Sequence, residues 1–437
     1  MFHIEALFSN TFFIVSAVAF VAWVLSIRMY PVIIYVSQTK GLVDVPEGRR
    51  SHTHEVPNLG GVGLFLAFSL TMILFAISVG LGRPELVKLL SVLGATIILL
   101  FLGIKDDLVL LSPRKKFIGQ FIAAGIVIFA TDLRIQDFEG LLGIGELPYW
   151  VSVGFTFFVF LLMVNAYNLI DGIDGLAGVT GIVASLFFGV FFALNEALFL
   201  AMVSFALTGA IIGFLGFNFS KTQKLFMGDS GSLFIGFLLT YLGIGFLGMN
   251  ESAGTSFVFA KSPVLLMAVM SFPLFDTLRV FILRIRKGRS PFVADRNHIH
   301  HRLLDVGLSH VQATIYIAVS NVLLIELVLL MGDLYINVQL FISVLVGSLV
   351  YLLPFSRFFE KHIVGKIVET QQGKIIGEGQ ETRTSGMETL KPVFMGPKET
   401  GMVAKEIATK KIRLGEEGIV EIKKSEKPKI PIKRVAN

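Results

Sequence analysis

The 437-residue sequence predicts an all-α fold, a polytopic transmembrane helical bundle, and three observations carry that expectation. Hydrophobic residues make up 54% of the chain and charged ones 16%, with a mean hydropathy of +0.75, well outside the composition of a soluble domain. About eleven apolar runs are long enough to cross a bilayer, which takes roughly 20 mostly apolar residues each. Lys and Arg are concentrated in alternate loops between those runs.

In chain order the expected spans are 11–36, 59–81, 88–104, 116–131, 151–167, 176–194, 197–217, 231–249, 262–283, 311–331 and 335–354, the third and fourth being the shortest. Met1 to Asn10 carries no Lys or Arg, unlike the start of a cleaved signal peptide, so the first span is expected to be retained. One set of loops holds Lys40, Arg49, Arg50, Lys105, Arg114, Lys115, Lys116, Lys221, Lys224, Arg284, Arg286, Lys287, Arg289, Arg296 and Arg302. The other holds little beyond Arg83, Arg134 and Lys261. Because basic residues resist translocation, the N-terminus is expected outside, the C-terminus in the cytoplasm, and the number of spans odd.

The same loops and a Lys-rich tail account for a pI of about 9.3, and anionic lipid headgroups favour both, so no nucleic-acid partner is expected. Cysteine is absent, which excludes disulfide and thiolate chemistry and leaves the compartment open. Residues 1–354 read as the membrane unit. From 355 to 437 the composition turns Lys/Glu-rich with Gly and Pro breaks, a cytoplasmic extension. Within Lys410 to Lys424, Gly418-Ile419-Val420-Glu421-Ile422 alternates as a short strand would. Otherwise this region reads as a partly disordered basic tail near the membrane surface. No internal repeat of the transporter kind is evident.

Five loop segments on the basic side hold the polar residues that could do chemistry. The first runs from Asp44 through Pro46, Arg49, Arg50, His52, His54 and Pro57 to Gly60, Gly61 and Gly63. Its prolines and glycines break any helix, and its basic residues could meet a phosphate or simply mark the inside face. The second begins Gly103-Ile-Lys105-Asp106-Asp107 and ends Arg114-Lys115-Lys116. Adjacent carboxylates beside hydrocarbon need a cation, a proton or nearby basic groups. The third is Asn165-Ala-Tyr-Asn168-Leu-Ile-Asp171-Gly172-Ile-Asp174-Gly175. If the fifth span continues, Asn165 and Asn168 share a face that Asp171 extends, an oxygen-rich row suited to a hard divalent cation or to a nucleotide's polar edge.

The fourth, Lys221 to Ser232, sets Asp229, Ser230 and Ser232 at the start of the eighth span. An N-cap explains them structurally. Functionally, the helix-start amides would favour phosphate oxygens, Asp229 a cation, and Phe226 a stacked base. The fifth starts with Asp276 inside an apolar run, where Arg279 is the candidate partner, and continues to Arg296, His298, His300, His301 and Arg302. Three histidines suggest zinc, but neither Cys nor a helical HExxH accompanies them, and phosphate binding fits a basic loop better.

Together these motifs resemble the polyprenyl-phosphate N-acetylhexosamine-1-phosphate transferases over roughly residues 11–330, with the WecA and TagO branch nearer than MraY. The segments carrying the resemblance are Asp-x-Pro-x-x-Arg-Arg-x-His with Pro-x-x-Gly-Gly, Asp106-Asp107, Asn-x-x-Asn-x-x-Asp-Gly-Ile-Asp-Gly, Met-Gly-Asp-Ser-Gly-Ser and His-Ile-His-His. One departure is Leu110, where a third Asp of the second motif would stand.

The resemblance implies ten or so helices around a cytoplasmic cleft in the bacterial inner membrane. It implies transfer of a sugar-1-phosphate from a UDP-N-acetylhexosamine to undecaprenyl phosphate with release of UMP, which initiates a surface polysaccharide. It requires Mg²⁺, with Mn²⁺ a substitute. By position, Asn168 and Asp229 would hold the metal. Asp106 with Asp107 would orient or deprotonate the acceptor phosphate, with Lys116 pairing phosphate charge, and His298, His300, His301 and Arg302 would clamp the sugar-phosphate end. Asp44, Arg49, His52, Asn165, Asp171 and Asp174 complete the substrate-binding set, and Phe226 would lie near the uracil. Alternatives are an MraY-type phospho-MurNAc-pentapeptide transferase, a secondary transporter and a structural scaffold. The sequence leaves a homodimer and the sugar open.

Overall fold

The computed structural model describes residues 10–44, 56–109, 111–251, 255–288 and 298–356. The chain divides into two units, Met1–Thr370 and Gln371–Asn437, and every described residue belongs to the first. The extension expected from 355 onward, with its strand at Gly418 to Ile422, lies outside the described residues but for its first two.

Each expected span is helical, the ninth as two helices. In order they are α1 (Thr11–Thr39), α2 (Gly60–Val79), α3 (Arg83–Val109), α4 (Pro113–Thr131), α5 (Tyr149–Ile170), α6 (Leu176–Leu194), α7 (Leu198–Asn218) and α8 (Gly228–Asn250). Then come α9 (Ser262–Val269), α10 (Ser271–Arg286), the short α11 (Ile299–Asp305), α12 (His310–Met331) and α13 (Ile336–Leu352). A two-residue antiparallel pair, β1 (Val43–Asp44) and β2 (Val56–Pro57), closes the first loop.

Among the described residues nine helices are long and apolar enough to cross a membrane, ten with one bent pair, against about eleven expected. The shortfall is α4, whose first turn carries Arg114, Lys115 and Lys116. It nevertheless packs between α3 and α5 as a full member of the bundle.

α8 is the centre: 83% of its apolar window is buried inside the protein, against 28% for α1 and α13, which turn Phe20, Trp23, Phe341 and Leu349 outward. Without a hydrophobic drive between helices in lipid, such packing depends on small residues that let backbones approach. Two of the closest approaches meet the N-terminus of α8. A Cβ on Gly61 would fall 2.1 Å from the Gly231 nitrogen, and one on Gly103 would fall 2.3 Å from the Ser230 Cα.

The ninth span, expected as one run over 262–283, is broken. α9 and α10 meet at Met270 with a bend of 77°. Pro273 in the first turn of α10 brings no N–H to the junction. The carbonyls freed there are met from α12: the Asn321 amide donates to Ala268 O at 2.8 Å, Val269 O at 3.3 Å and Ser271 Oγ at 2.9 Å, and Ser271 Oγ pairs with the Tyr351 hydroxyl at 2.9 Å. A break at membrane depth persists only with such internal partners. Asn321→Ala is therefore expected to cost about 1–2 kcal/mol, read as a lower unfolding temperature in detergent, with Asn321→Gln in between. An apolar cavity of about 210 Å³ lies beside this bend, walled by Phe155, Val159, Leu239, Leu266 and Met270.

Candidate active site

α3 continues unbroken through Asp106 and Asp107 to Val109, so the acid pair stands on a helix's last turn and not in a loop. Neighbouring helix positions point about 100° apart, and the two carboxylates go to different partners. Asp107 reaches α8, where Oδ1 accepts the Asp229 N–H at 2.8 Å and Oδ2 the Ser230 N–H at 3.2 Å. A helix start leaves four amides open, and another helix's carboxylate here fills two of them. Those amides, expected to face phosphate, are thus engaged by Asp107.

Asp106 turns to α4. Its Oδ2 lies 2.5 Å from Lys116 Nζ, and its Oδ1 accepts the Leu111 N–H at 2.5 Å. Lys116 Nζ also donates to Asp229 Oδ2, so one ammonium bridges two carboxylates from different helices. From the last turn of α5, the Asn168 amide donates to Asp229 Oδ1 at 3.0 Å and Ser232 Oγ at 2.8 Å.

Asn165 does not join this group. It forms a reciprocal amide pair with Gln120 of α4, at 2.7 and 3.3 Å, and donates to Leu161 O at 2.7 Å. Three residues along a helix is 60° short of a full turn, enough to send Asn165 to a different neighbour.

Gly228 opens α8 at φ +69, in the left-handed region. A Cβ there would lie 2.2 Å from the Asn58 carbonyl and 2.7 Å from the Asp107 carboxylate, so only glycine fits this turn. Just before it the chain runs along the first motif: Phe226 N–H donates to Pro57 O at 2.8 Å, Gly60 N–H to Phe226 O at 3.0 Å and Gly61 N–H to Met227 O at 2.9 Å. The Lys224 ammonium lies 5.8 Å from the centre of the Phe226 ring.

Asp171 ends α5, and among the described residues its carboxylate accepts no hydrogen bond. Burial, and then the nearby charges of Asp229, Asp107 and Asp174, push its carboxyl well above the usual range. Asp174 is treated oppositely. Burial alone would raise it, but His310 and Lys224 hold it below the ordinary carboxylate value.

The histidine segment is anchored from within the bundle. Buried Asp276 accepts from His298 Nδ1 at 2.7 Å and from the Ile299 N–H at 2.7 Å. Arg279, the expected partner, instead has its guanidinium 3.7 Å from the centre of the Phe355 ring. His300 is 1% exposed and packs on the Asp171-Gly172 turn, where a Cβ on Gly172 would fall 2.2 Å from its Nε2. Burial drives the His300 pKa down to about 3, so the ring is neutral. The His301 ring lies 4.3 Å from that of His300, while Arg302 Nε donates to Pro354 O at 3.2 Å. Among the described residues no cluster of three or more His, Asp or Glu side chains is arranged to hold a metal by itself. Arg49 and His52 lie outside the described residues, as does the side chain of Asp44.

Residues 89–247, from within α3 to the last turn of α8, match glycosyl transferase family 4. The chain is 34% identical over 293 residues to the decaprenyl-phosphate N-acetylglucosaminephosphotransferase of Mycolicibacterium smegmatis, covering 63% of this chain and 72% of that one. It is 32% identical over 311 residues to the undecaprenyl-phosphate alpha-N-acetylglucosaminyl 1-phosphate transferase of Pasteurella multocida, covering 69% and 82%. The chain belongs to glycosyl transferase family 4. It is an enzyme of that family with multiple membrane helices. The stretch matched to the family holds Asp106, Asp107, Lys116, Asn168, Asp171, Asp174 and Asp229, and the histidine segment lies beyond it.

Four polar residues at or beside the site of this family 4 enzyme were not singled out from sequence: Gln120, Asn218, Lys224 as an ion-pair partner, and His310. Gln120, a lone amide in an apolar run, was the most visible signal. His310 carried another, in the Ser309-His310-x-Gln312 spacing of a capping box that fixes the start of α12.

Proposed function

We propose that this enzyme transfers N-acetylhexosamine-1-phosphate, with N-acetylglucosamine as the sugar, from a UDP-sugar to undecaprenyl phosphate and releases UMP. The reaction would take place at the cytoplasmic face of a bacterial inner membrane, as the first step of a surface polysaccharide. The carrying observation is the group Asp106, Lys116, Asn168 and Asp229, drawn from α3, α4, α5 and α8 to one end of an apolar bundle. The relatives' names, which specify polyprenyl phosphates and N-acetylglucosamine phosphate transfer, support the same reading. So do the basic loops, which favour a cytoplasmic face, and the apolar cavity at the α9–α10 bend, which offers room for hydrocarbon.

The residues fit a hard divalent cation. Asp106, Asp229 and Asn168 form an all-oxygen donor set once the Asn168 amide is turned, and the space between the two carboxylates already holds a positive charge, the Lys116 ammonium. Asn168 and Asp229 would hold Mg²⁺, which when bound neutralises the donor pyrophosphate. The acceptor's phosphate oxygen attacks the phosphorus that bears the sugar, a new P–O bond forms, and the electron pair of the broken P–O–P bond leaves with UMP. A lipid phosphate is already anionic at neutral pH, so direct attack needs no general base. The protein's share is position and charge. Lys116 offsets phosphate charge beside Asp106, Asp107 holds the start of α8 in place, and neutral His300 packs beneath the turn that carries Asp171.

The test is purified protein with undecaprenyl phosphate, Mg²⁺ and a panel of UDP-sugars. UMP and a lipid-linked sugar diphosphate should appear in equal amounts with UDP-N-acetylglucosamine. Turnover confined to UDP-MurNAc-pentapeptide would replace the reading with the MraY type, and substrate flux into proteoliposomes without UMP would replace it with a transporter.

A further inference from the structure

Asp174 is gripped from two sides by residues outside the motifs that define the family resemblance. Lys224 Nζ donates to Asp174 Oδ2 at 2.6 Å, and His310 Nδ1 meets the same oxygen at 2.8 Å. One turn further along α12, the Thr314 hydroxyl donates to the Asp174 carbonyl at 3.1 Å. The following amide is held as well: Gly175 N–H donates to Asn218 Oδ1 at 2.6 Å, and the other end of that side chain donates to Leu225 O at 2.9 Å. His310 is presented from a fixed first turn, because Ser309 and Gln312 close a capping box around it, with Ser309 N–H donating to Gln312 Oε1 at 2.9 Å.

Both side-chain grips reach Oδ2, His310 Nδ1 also lying 3.3 Å from the Asp174 backbone nitrogen, and among the described residues Oδ1 accepts nothing. The turn from Asp171 to Gly175 is thereby tied on one side to the segment that carries Phe226 and Asp229, and on the other to α12.

We propose that His310 is a positioning residue for the nucleotide donor: with Lys224 it fixes Asp174 so that Oδ1 is aimed at a hydroxyl or N–H of the UDP-sugar. This rests on the transferase reading above. The side chains of Lys224, His310 and Asp174 keep 28%, 30% and 16% of their exposure, so the grip is partly solvated. Its loss should leave the bundle folded and alter donor binding. The acceptor, which meets the enzyme from the lipid side, should be indifferent to it.

The experiment measures steady-state UMP release by the full-length enzyme, varying UDP-N-acetylglucosamine and undecaprenyl phosphate in turn. His310→Ala is expected to raise the KM for the donor about 5–10-fold, with kcat and the acceptor KM within about 2-fold. His310→Asn, whose amide nitrogen can stand where Nδ1 stands, should restore most of the loss. Lys224→Met should raise the donor KM as well, and the double variant should fall short of the product of the two single effects, because both act through one oxygen. An unchanged donor KM in His310→Ala, or no rescue by His310→Asn, would overturn the assignment while leaving the transferase reading intact. A wild-type enzyme that releases no UMP from this pair of substrates would overturn both.

Discussion

Asp229→Asn is expected to lower UMP release about 10²–10³-fold while leaving the fold intact. Asp229 is where the site's contacts meet: Lys116 on Oδ2, Asn168 on Oδ1, and Asp107 on its backbone N–H. An amide has the carboxylate's shape but no charge. The substitution therefore removes the anion that the proposed divalent cation would need and leaves the lysine with Asp106 alone. The structure also says why the protein should survive it, since the amides at the start of α8 are held by Asp107 and not by the Asp229 side chain. The loss should be read across a Mg²⁺ titration together with a melting curve. A variant that melts like the wild type and turns over at full rate would remove Asp229 from metal binding.

The spans were legible because each is a run of apolar residues that no aqueous fold could bury, and the polar loops between them were legible by contrast. What the sequence did not disclose are contacts between distant residues. Asp107 reads the same in the sequence whether it faces substrate or caps a helix, and the amides that decide the matter lie 122 and 123 positions away. Asn165 repeats the spacing of Asn168, yet the 60° between them sends it to Gln120. The break at Met270 was hidden because Pro273 and its neighbours are as apolar as a continuous span, and the amide that makes the break tolerable belongs to α12. His310 sits outside every motif read for chemistry; the capping-box spacing around it marks a helix start, and its distance to Asp174 is what ties it to the site.

Gly103→Ala is expected to damage both stability and activity, although alanine is the better helix former by about 1 kcal/mol. Gly103 faces the first turn of α8. An added Cβ would lie 2.3 Å from Ser230 Cα, 2.4 Å from Ser230 N and 2.8 Å from the Asp229 carbonyl carbon, all backbone atoms that cannot rotate aside. To restore ordinary contact the two helices must part by about 1 Å, a cost on the order of 1–3 kcal/mol for overpacking. The same movement draws Asp107 from the two amides it caps, which lie directly across this interface, and stretches the Lys116 bridge that joins Asp106 of α3 to Asp229 of α8. Gly94, nine residues earlier on α3, has nothing within 4 Å of where its Cβ would stand, so Gly94→Ala is the matched control and should be neutral or slightly stabilising. The comparison isolates the crossing from helix propensity: a lower melting temperature and lost UMP release in Gly103→Ala alone are expected. If both variants behaved like the parent, α3 and α8 could not approach this closely, and the acid cluster built across them would lose its framework.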